Sequence, residues 1–231
     1  MRIVFSGISA ILILFFCNLA LGANSSAPKY SAVVIDANTR NILFADDEGK
    51  RLHPAGLTKL MTLYVAFKAI EDGEIGLDDK VIVSNHAASE APVKLGLRPR
   101  QKVRLRYLLR AAAVQGSNDA ATAIGEHIEG SEAAFARRMN RTAEDLGMTR
   151  STFRNAHGLT EAGQLSTAQD MAVLLLALNE EFPDYFNLFS RKNTSAGVKT
   201  VRHSGRRLLS GDDRIMAAKT VTRANLSEAV Y

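Results

Sequence analysis

The sequence predicts an α+β fold, an antiparallel sheet with a helical cluster attached. Three observations predict it: strand-like segments open the chain, segments with helical spacing fill its middle, and weakly alternating segments close it. Strands grouped before and after a run of helices pair antiparallel, whereas a parallel sheet needs strands and helices in alternation. The composition suits one domain with a good-sized core, since 46% of the 231 residues are hydrophobic and 23% are charged.

Taken in order, Tyr30 to Asp36 reads as a strand, Ala37-Asn38-Thr39-Arg40 as a turn, and Asn41 to Phe44 as the returning strand of a hairpin. From Leu57 to Ala69, apolar residues at 57, 60, 61, 64, 65, 67 and 69 cover most of a helix surface, and Asp72-Gly73 ends it. A helix apolar on so many sides has to be buried. Val81-Ile82-Val83 is a short strand, and Leu105 to Val114, Ala120 to Ile128 and Glu132 to Leu146 are three further helices separated by glycine-containing breaks. Thr167 is placed to cap the next helix, with Asp170 reaching back as in a capping box and Met171, Leu174, Leu175 and Leu178 forming the apolar face. Strands over Arg206 to Leu209 and Ile215 to Val221 are expected to pair back onto the first hairpin.

Ahead of this domain, Met1-Arg2, the apolar run Ile8 to Phe16 and the small residues Ala20, Gly22 and Ala23 have the layout of a secretory signal peptide. Cleavage is expected after Gly22 or Ala23, so residues 1–23 form the leader and 24–231 the domain, which is exported to the periplasm or cell envelope. The alternative is an uncleaved anchor, but the apolar stretch falls short of the roughly 20 residues that span a bilayer. Cys17, the single cysteine, lies in the leader, which excludes disulfides and thiolate catalysis from the remainder. Removing Arg2 from the 29 basic residues leaves 28 against 24 acidic ones, a net charge of +4 scattered along the chain. No basic stripe with interleaved aromatics exists, so no nucleic-acid partner is expected.

The chemistry concentrates in three segments. The first is His53-Pro54-Ala55-Gly56-Leu57-Thr58-Lys59-Leu60-Met61-Thr62, the second Val114-Gln115-Gly116-Ser117-Asn118-Asp119-Ala120, and the third Ala218-Lys219-Thr220-Val221-Thr222-Arg223-Ala224. Together they resemble the motifs of serine D-Ala-D-Ala carboxypeptidases, the low-molecular-mass penicillin-binding proteins of peptidase family S11. Their patterns are Pro-Ala-Ser-x-Thr-Lys-x-Met-Thr, Gln-Ser-x-Asn-Asp-Ala and Lys-Thr-Gly. Similarity continues at Ser84 to Ser89, Lys94 to Leu97, Leu146 to Thr149, Phe153 to Leu159 and Ser166 to Met171, so it spans roughly residues 29 to 224. The resemblance implies the β-lactamase/penicillin-binding transpeptidase-like form of the α+β fold. Eleven residues follow Thr220, too few for a closing strand and helix, so the sheet is expected to be incomplete at its C-terminal side, with a dimer or partner strand covering the open edge.

In the family, a serine three residues before the lysine shares a helix face with it, so the amine takes the hydroxyl proton. Here Lys59 keeps the general-base position, while Gly56 stands where the nucleophile belongs. In the second motif Gly116 occupies the serine position and Ser117 comes one residue late, a rotation of about 100 degrees that takes it out of the role. Ser117 is equally suited to cap the following helix. Asn118 aligns with the residue that holds the substrate amide, and Lys219 and Thr220 with those that bind the substrate carboxylate. Val221 puts a branched side chain where glycine lets the substrate approach.

The resemblance therefore implies a carboxypeptidase-like protein of peptidoglycan metabolism, impaired by loss of its nucleophile, with the D-Ala-D-Ala stem peptide as partner and β-lactams bound non-covalently at most. The alternatives are a non-catalytic muropeptide-binding or interaction protein, and a decaying gene copy. No cofactor is implied. The five histidines include no His-x-x-x-His pair and no cysteine partner, so no metal site is expected, and acidic pairs such as Asp78-Asp79 read as surface charge.

Overall fold

The computed structural model describes residues 30–211. It opens with the predicted hairpin: β1 (Ala32–Ile35) pairs antiparallel with β2 (Ile42–Asp46), placing Ala32 opposite Asp46 and Val34 opposite Phe44. Asp36 fixes the turn, its Oδ1 accepting from the backbone N–H groups of Asn38 and Thr39.

Helix α1 (Thr58–Glu71) is the centre of the molecule. Every residue from Thr58 to Phe67 is buried, which is why its sequence is apolar nearly all round. At its C-terminal half the Phe67 ring stacks on Tyr185 at 4.6 Å and meets Phe182 at 5.8 Å, and Tyr64 meets Phe182 edge-on at 5.1 Å. Asp72 caps the helix and Gly73 leaves it with φ +74°.

β3 (Lys80–Ile82) follows, then the short α2 (Asn85–Ser89), whose N-cap Ser84 accepts from Ala87 N–H. β4 (Lys102–Arg104) pairs antiparallel with β3, a partner the sequence pattern did not mark. α3 (Leu105–Arg110) runs into a π-helical turn over Ala111–Gln115 that ends at Gly116. α4 (Asn118–Glu129) begins two residues before its expected start, and α5 (Glu132–Asp145) packs against it. Both α4 and α5 also pack on α1.

α6 (Ala168–Glu181) has the expected cap, Thr167 Oγ1 accepting from Asp170 N–H at 3.0 Å. The reciprocal half of the capping box is replaced: the Asp170 carboxylate accepts from Arg150 N–H and Ser151 O–H, tying the first turn of α6 to the loop after α5. The closing elements are β5 (Asn193–Ser195) and β6 (Thr200–Arg202), which pair with each other.

Two expectations are corrected here. Residues Arg206 to Leu209 are turn and helix rather than strand, because their backbone bonds are local: Arg206 N–H donates to His203 O and Leu209 N–H to Gly205 O. The strands also do not join one sheet among the described residues; they form three separate two-stranded ladders, and β1–β2 has no third strand there. The expected leader and the segment from Ile215 to Val221 lie outside the described residues. The α+β class itself holds, with an incomplete sheet beside a helical cluster.

Candidate active site

The first motif lies where the chain enters α1. Residues Ala55–Leu57 form a single 3-10 turn that leads directly into the helix. Ala55 has φ +47°, a left-handed conformation that costs a non-glycine residue about 1 kcal/mol or more. That turn is held from outside by the loop 155–159. Gly158 (φ +86°) approaches so closely that a Cβ on it would stand 1.9 Å from Ala55 O, so only glycine fits. Asn155 shapes the loop by accepting from Gly158 N–H and donating to Leu159 O, and Gln164 braces it by accepting from the N–H groups of Arg154 and Asn155.

The loop is fastened to α1 by the polar side chains of the helix. Lys59 Nζ donates to His157 O, and Thr62 Oγ1 donates to Ala156 O at 2.6 Å. Gly56, Lys59 and Thr62 are three residues apart and share one side of the turn and helix. Gly56, one turn before Lys59, carries no hydroxyl to serve as the expected nucleophile. Thr58, the nearest other hydroxyl, is fully buried and packs its Oγ1 against Gly158, which turns it away from that role.

Lys59 is 2% exposed. Burial lowers its amine to about 8, against the opposing carboxylate charges of Glu90 and Asp119. An amine so lowered is suited to take a proton near neutral pH.

The second motif sits at the start of α4, which packs on α1. Gly116 has φ +82° and terminates the π-helical turn, a conformation that disfavours any side chain there. Ser117 occupies the N-cap position of α4, yet its hydroxyl caps nothing: it donates to Gln115 Oε1 at 2.9 Å and the residue is fully buried. Asn118 Nδ2 donates to Ala91 O at 3.0 Å and Pro92 O at 3.3 Å, fixing the loop between α2 and β4. Asp119 had no role in the sequence reading beyond alignment. Its carboxylate accepts from the N–H groups of Leu95, Gly96, Leu97 and Ala120. Lys219 and Thr220, the third motif, lie outside the described residues.

The residues missed by sequence reasoning are Glu90, Glu132 and His157: His157 O accepts from Lys59 Nζ, the Glu90 charge acts on that amine, and Glu132 faces His157. His157 Nε2 lies 3.4 Å from both Glu90 Oε1 and Glu132 Oε1. Burial, together with the charges of Lys59 and His86, lowers the His157 imidazole to about 3. A signal was present, since Asn155-Ala156-His157-Gly158-Leu159 belongs to the similar stretches, but nothing in the spacing linked it to Glu90 or Glu132.

The fold and the site define a class of protein: an α+β framework whose buried central helix opens on a lysine, three residues after Gly56. A family model described as D-alanyl-D-alanine carboxypeptidase, peptidase S11, matches residues 23–224. The chain belongs to that family. It is 36% identical over 169 residues to the D-alanyl-D-alanine carboxypeptidase DacF of Bacillus subtilis (strain 168), covering 71% of this chain and 43% of that one. Among solved structures it is similar to penicillin binding protein 5 from Haemophilus influenzae, with TM-score 0.75 and 29% identity over 78% of this chain and 54% of that one. It is also similar to penicillin-binding protein D2 from Listeria monocytogenes in its ampicillin-bound form, with TM-score 0.70 and 26% identity over 78% and 73% of the two chains. The chain spans about half the length of the curated relatives it matches.

Proposed function

We propose that this chain engages the D-Ala-D-Ala end of peptidoglycan stem peptides without forming an acyl-enzyme, as an exported carboxypeptidase-family protein of the periplasm or cell envelope. The observation that carries this reading is Gly56: the buried Lys59 is held in place by His157 O, three residues beyond a position with no hydroxyl to deprotonate. Loss of the nucleophile from a serine hydrolase lowers turnover on the order of a million-fold, leaving binding and oxyanion effects. Gly116 and the inward-turned Ser117 supply no substitute. Export rests on the leader-like layout of residues 1–23. β-Lactams, which the similar Listeria protein binds as ampicillin, associate with this chain non-covalently at most.

The test is intact-protein mass after exposure to a labelled penicillin, for the natural chain and for Gly56→Ser. Gly56 is outside the left-handed region, so the serine adds no backbone strain there. The natural chain is expected to show its bare mass and Gly56→Ser to gain one penicilloyl group. A stoichiometric adduct on the natural chain overturns the reading. Stem peptide is expected to raise the melting temperature of the natural chain, as any ligand of the folded state does.

A further inference from the structure

We propose that His86, Glu90 and Glu132 form a binding site for a first-row divalent cation, zinc foremost, beside the His157 side chain. One ligand atom from each of the three lies within 4.8 Å of the others. His86 and Glu90 are four residues apart at α2 and its C-cap, so they share a face, while Glu132 opens α5.

The spacing is that of ligands rather than of hydrogen bonds. His86 Nε2 stands 3.6 Å from Glu90 Oε1 and 3.6 Å from Glu132 Oε2, beyond the roughly 3.2 Å at which an N–H donates well. At a tetrahedral centre with ligand distances of about 2.0 to 2.2 Å, neighbouring ligand atoms lie about 3.3 to 3.6 Å apart.

Each of the three is oriented by a further group, as metal ligands commonly are. His86 Nδ1 faces Glu126 Oε1 at 3.2 Å, which places the ring proton on Nδ1 and leaves the Nε2 lone pair directed between the two carboxylates. Glu90 Oε1 accepts from Thr122 O–H at 2.9 Å, and Glu132 Oε1 accepts from Ala156 N–H at 3.1 Å, leaving Oε2 toward His86. Glu90 is more than nine-tenths buried.

His157 is the neighbour that does not ligate. Its Nδ1 accepts from Leu159 N–H at 3.0 Å, so the proton of the neutral ring is on Nε2, pointing at Glu90 and Glu132. The groups around the centre are then three carboxylates, Glu90, Glu126 and Glu132, against His86, the neutral His157 and the nearby Lys59. Three carboxylates gathered around one imidazole leave an excess of negative charge that a divalent cation relieves. The bound ion joins α2, α5 and, through Glu132 and Ala156, the loop that fastens Lys59. It is a positioning site for that loop. The sequence expectation of no metal rested on histidine pairs and cysteine partners, and the His86-x-x-x-Glu90 spacing falls outside both patterns.

The test uses the full chain stripped with chelator and titrated with zinc by calorimetry, and with cobalt by its visible absorption. One equivalent of zinc, a cobalt band and a rise in melting temperature are expected. His86→Ala is expected to weaken binding at least about 100-fold and Glu126→Gln at least about tenfold, with the exposed His53→Ala unchanged. The His86 side chain is 54% exposed, so its removal takes little packing away, and circular dichroism checks that the variant is folded. No zinc uptake by the stripped chain, or unchanged affinity in both His86→Ala and Glu132→Gln, overturns the site and leaves a protonated His86 paired with its carboxylates.

Discussion

Lys59 is a charged side chain set in the most buried helix of the molecule. Its burial is unfavourable for a charged amine, and among the described residues the His157 carbonyl and the charges of Glu90 and Asp119 offset the lost hydration. Between pH about 8 and 10.5 the unfolded chain still holds the Lys59 proton while the folded chain has released it. Stability therefore rises with pH across that window. Compared with Lys59→Met, the natural chain is expected to gain about 3 kcal/mol on going from below pH 8 to above pH 10.5. Urea unfolding of both chains at the two ends of the window measures it, and equal pH slopes would show that the amine is hydrated in the folded state. At this scale the sequence was informative where a residue's role is local. Gly56 and Lys59 are separated by one helical turn, so their pairing was legible. Glu90, Glu132 and His157 come from three separate segments, and only the fold brings them together.

At the scale of elements, the helices were readable because burial stamps a period on them: α1 is apolar nearly all round, and Thr167 caps α6 as its type and position imply. Elements made by local hydrogen bonding without a core face were not. The turn and helix at Arg206 to Leu209 lie in a weakly alternating stretch of sequence, yet the Arg206 and Leu209 N–H groups donate to carbonyls three and four residues back. β4 was hidden for a related reason, since Lys102–Arg104 buries only Val103. The joint between elements that matters most for the site is Asp119, which fastens residues 95–97 to the start of α4 through their three backbone N–H groups and also accepts from Ala120 N–H. Asp119→Ala strands these donors, and a buried unsatisfied donor costs about 1 to 3 kcal/mol. A loss of at least about 3 kcal/mol in unfolding free energy is expected for this variant. A loss below about 1 kcal/mol, measured by urea denaturation, would show that the loop is held by other contacts.

Across the whole molecule the apolar burial is uneven, and stability should follow it. α1 has its residues 58–67 buried and packs on α4, α5 and α6, so its amides open only with the core. The β1–β2 hairpin is the opposite case: Val34, Ile42, Leu43 and Phe44 are all at least half exposed, and β2 has no buried residue. Among the described residues its ladder is a two-stranded one, and such ribbons are marginal without a packed face. A groove between β1 and α6, lined by Val33, Leu57, Leu60, Met171 and Leu175, continues the same apolar surface. In hydrogen exchange at low protein concentration, the hairpin amides are therefore expected to exchange at least about 100-fold faster than those of α1, a difference of about 3 kcal/mol in opening free energy. Protection of the hairpin equal to that of α1 would mean that another surface covers it. A dependence of that protection on protein concentration would identify the cover as a second copy of the chain, because self-association is the one route by which dilution alone would uncover the strands.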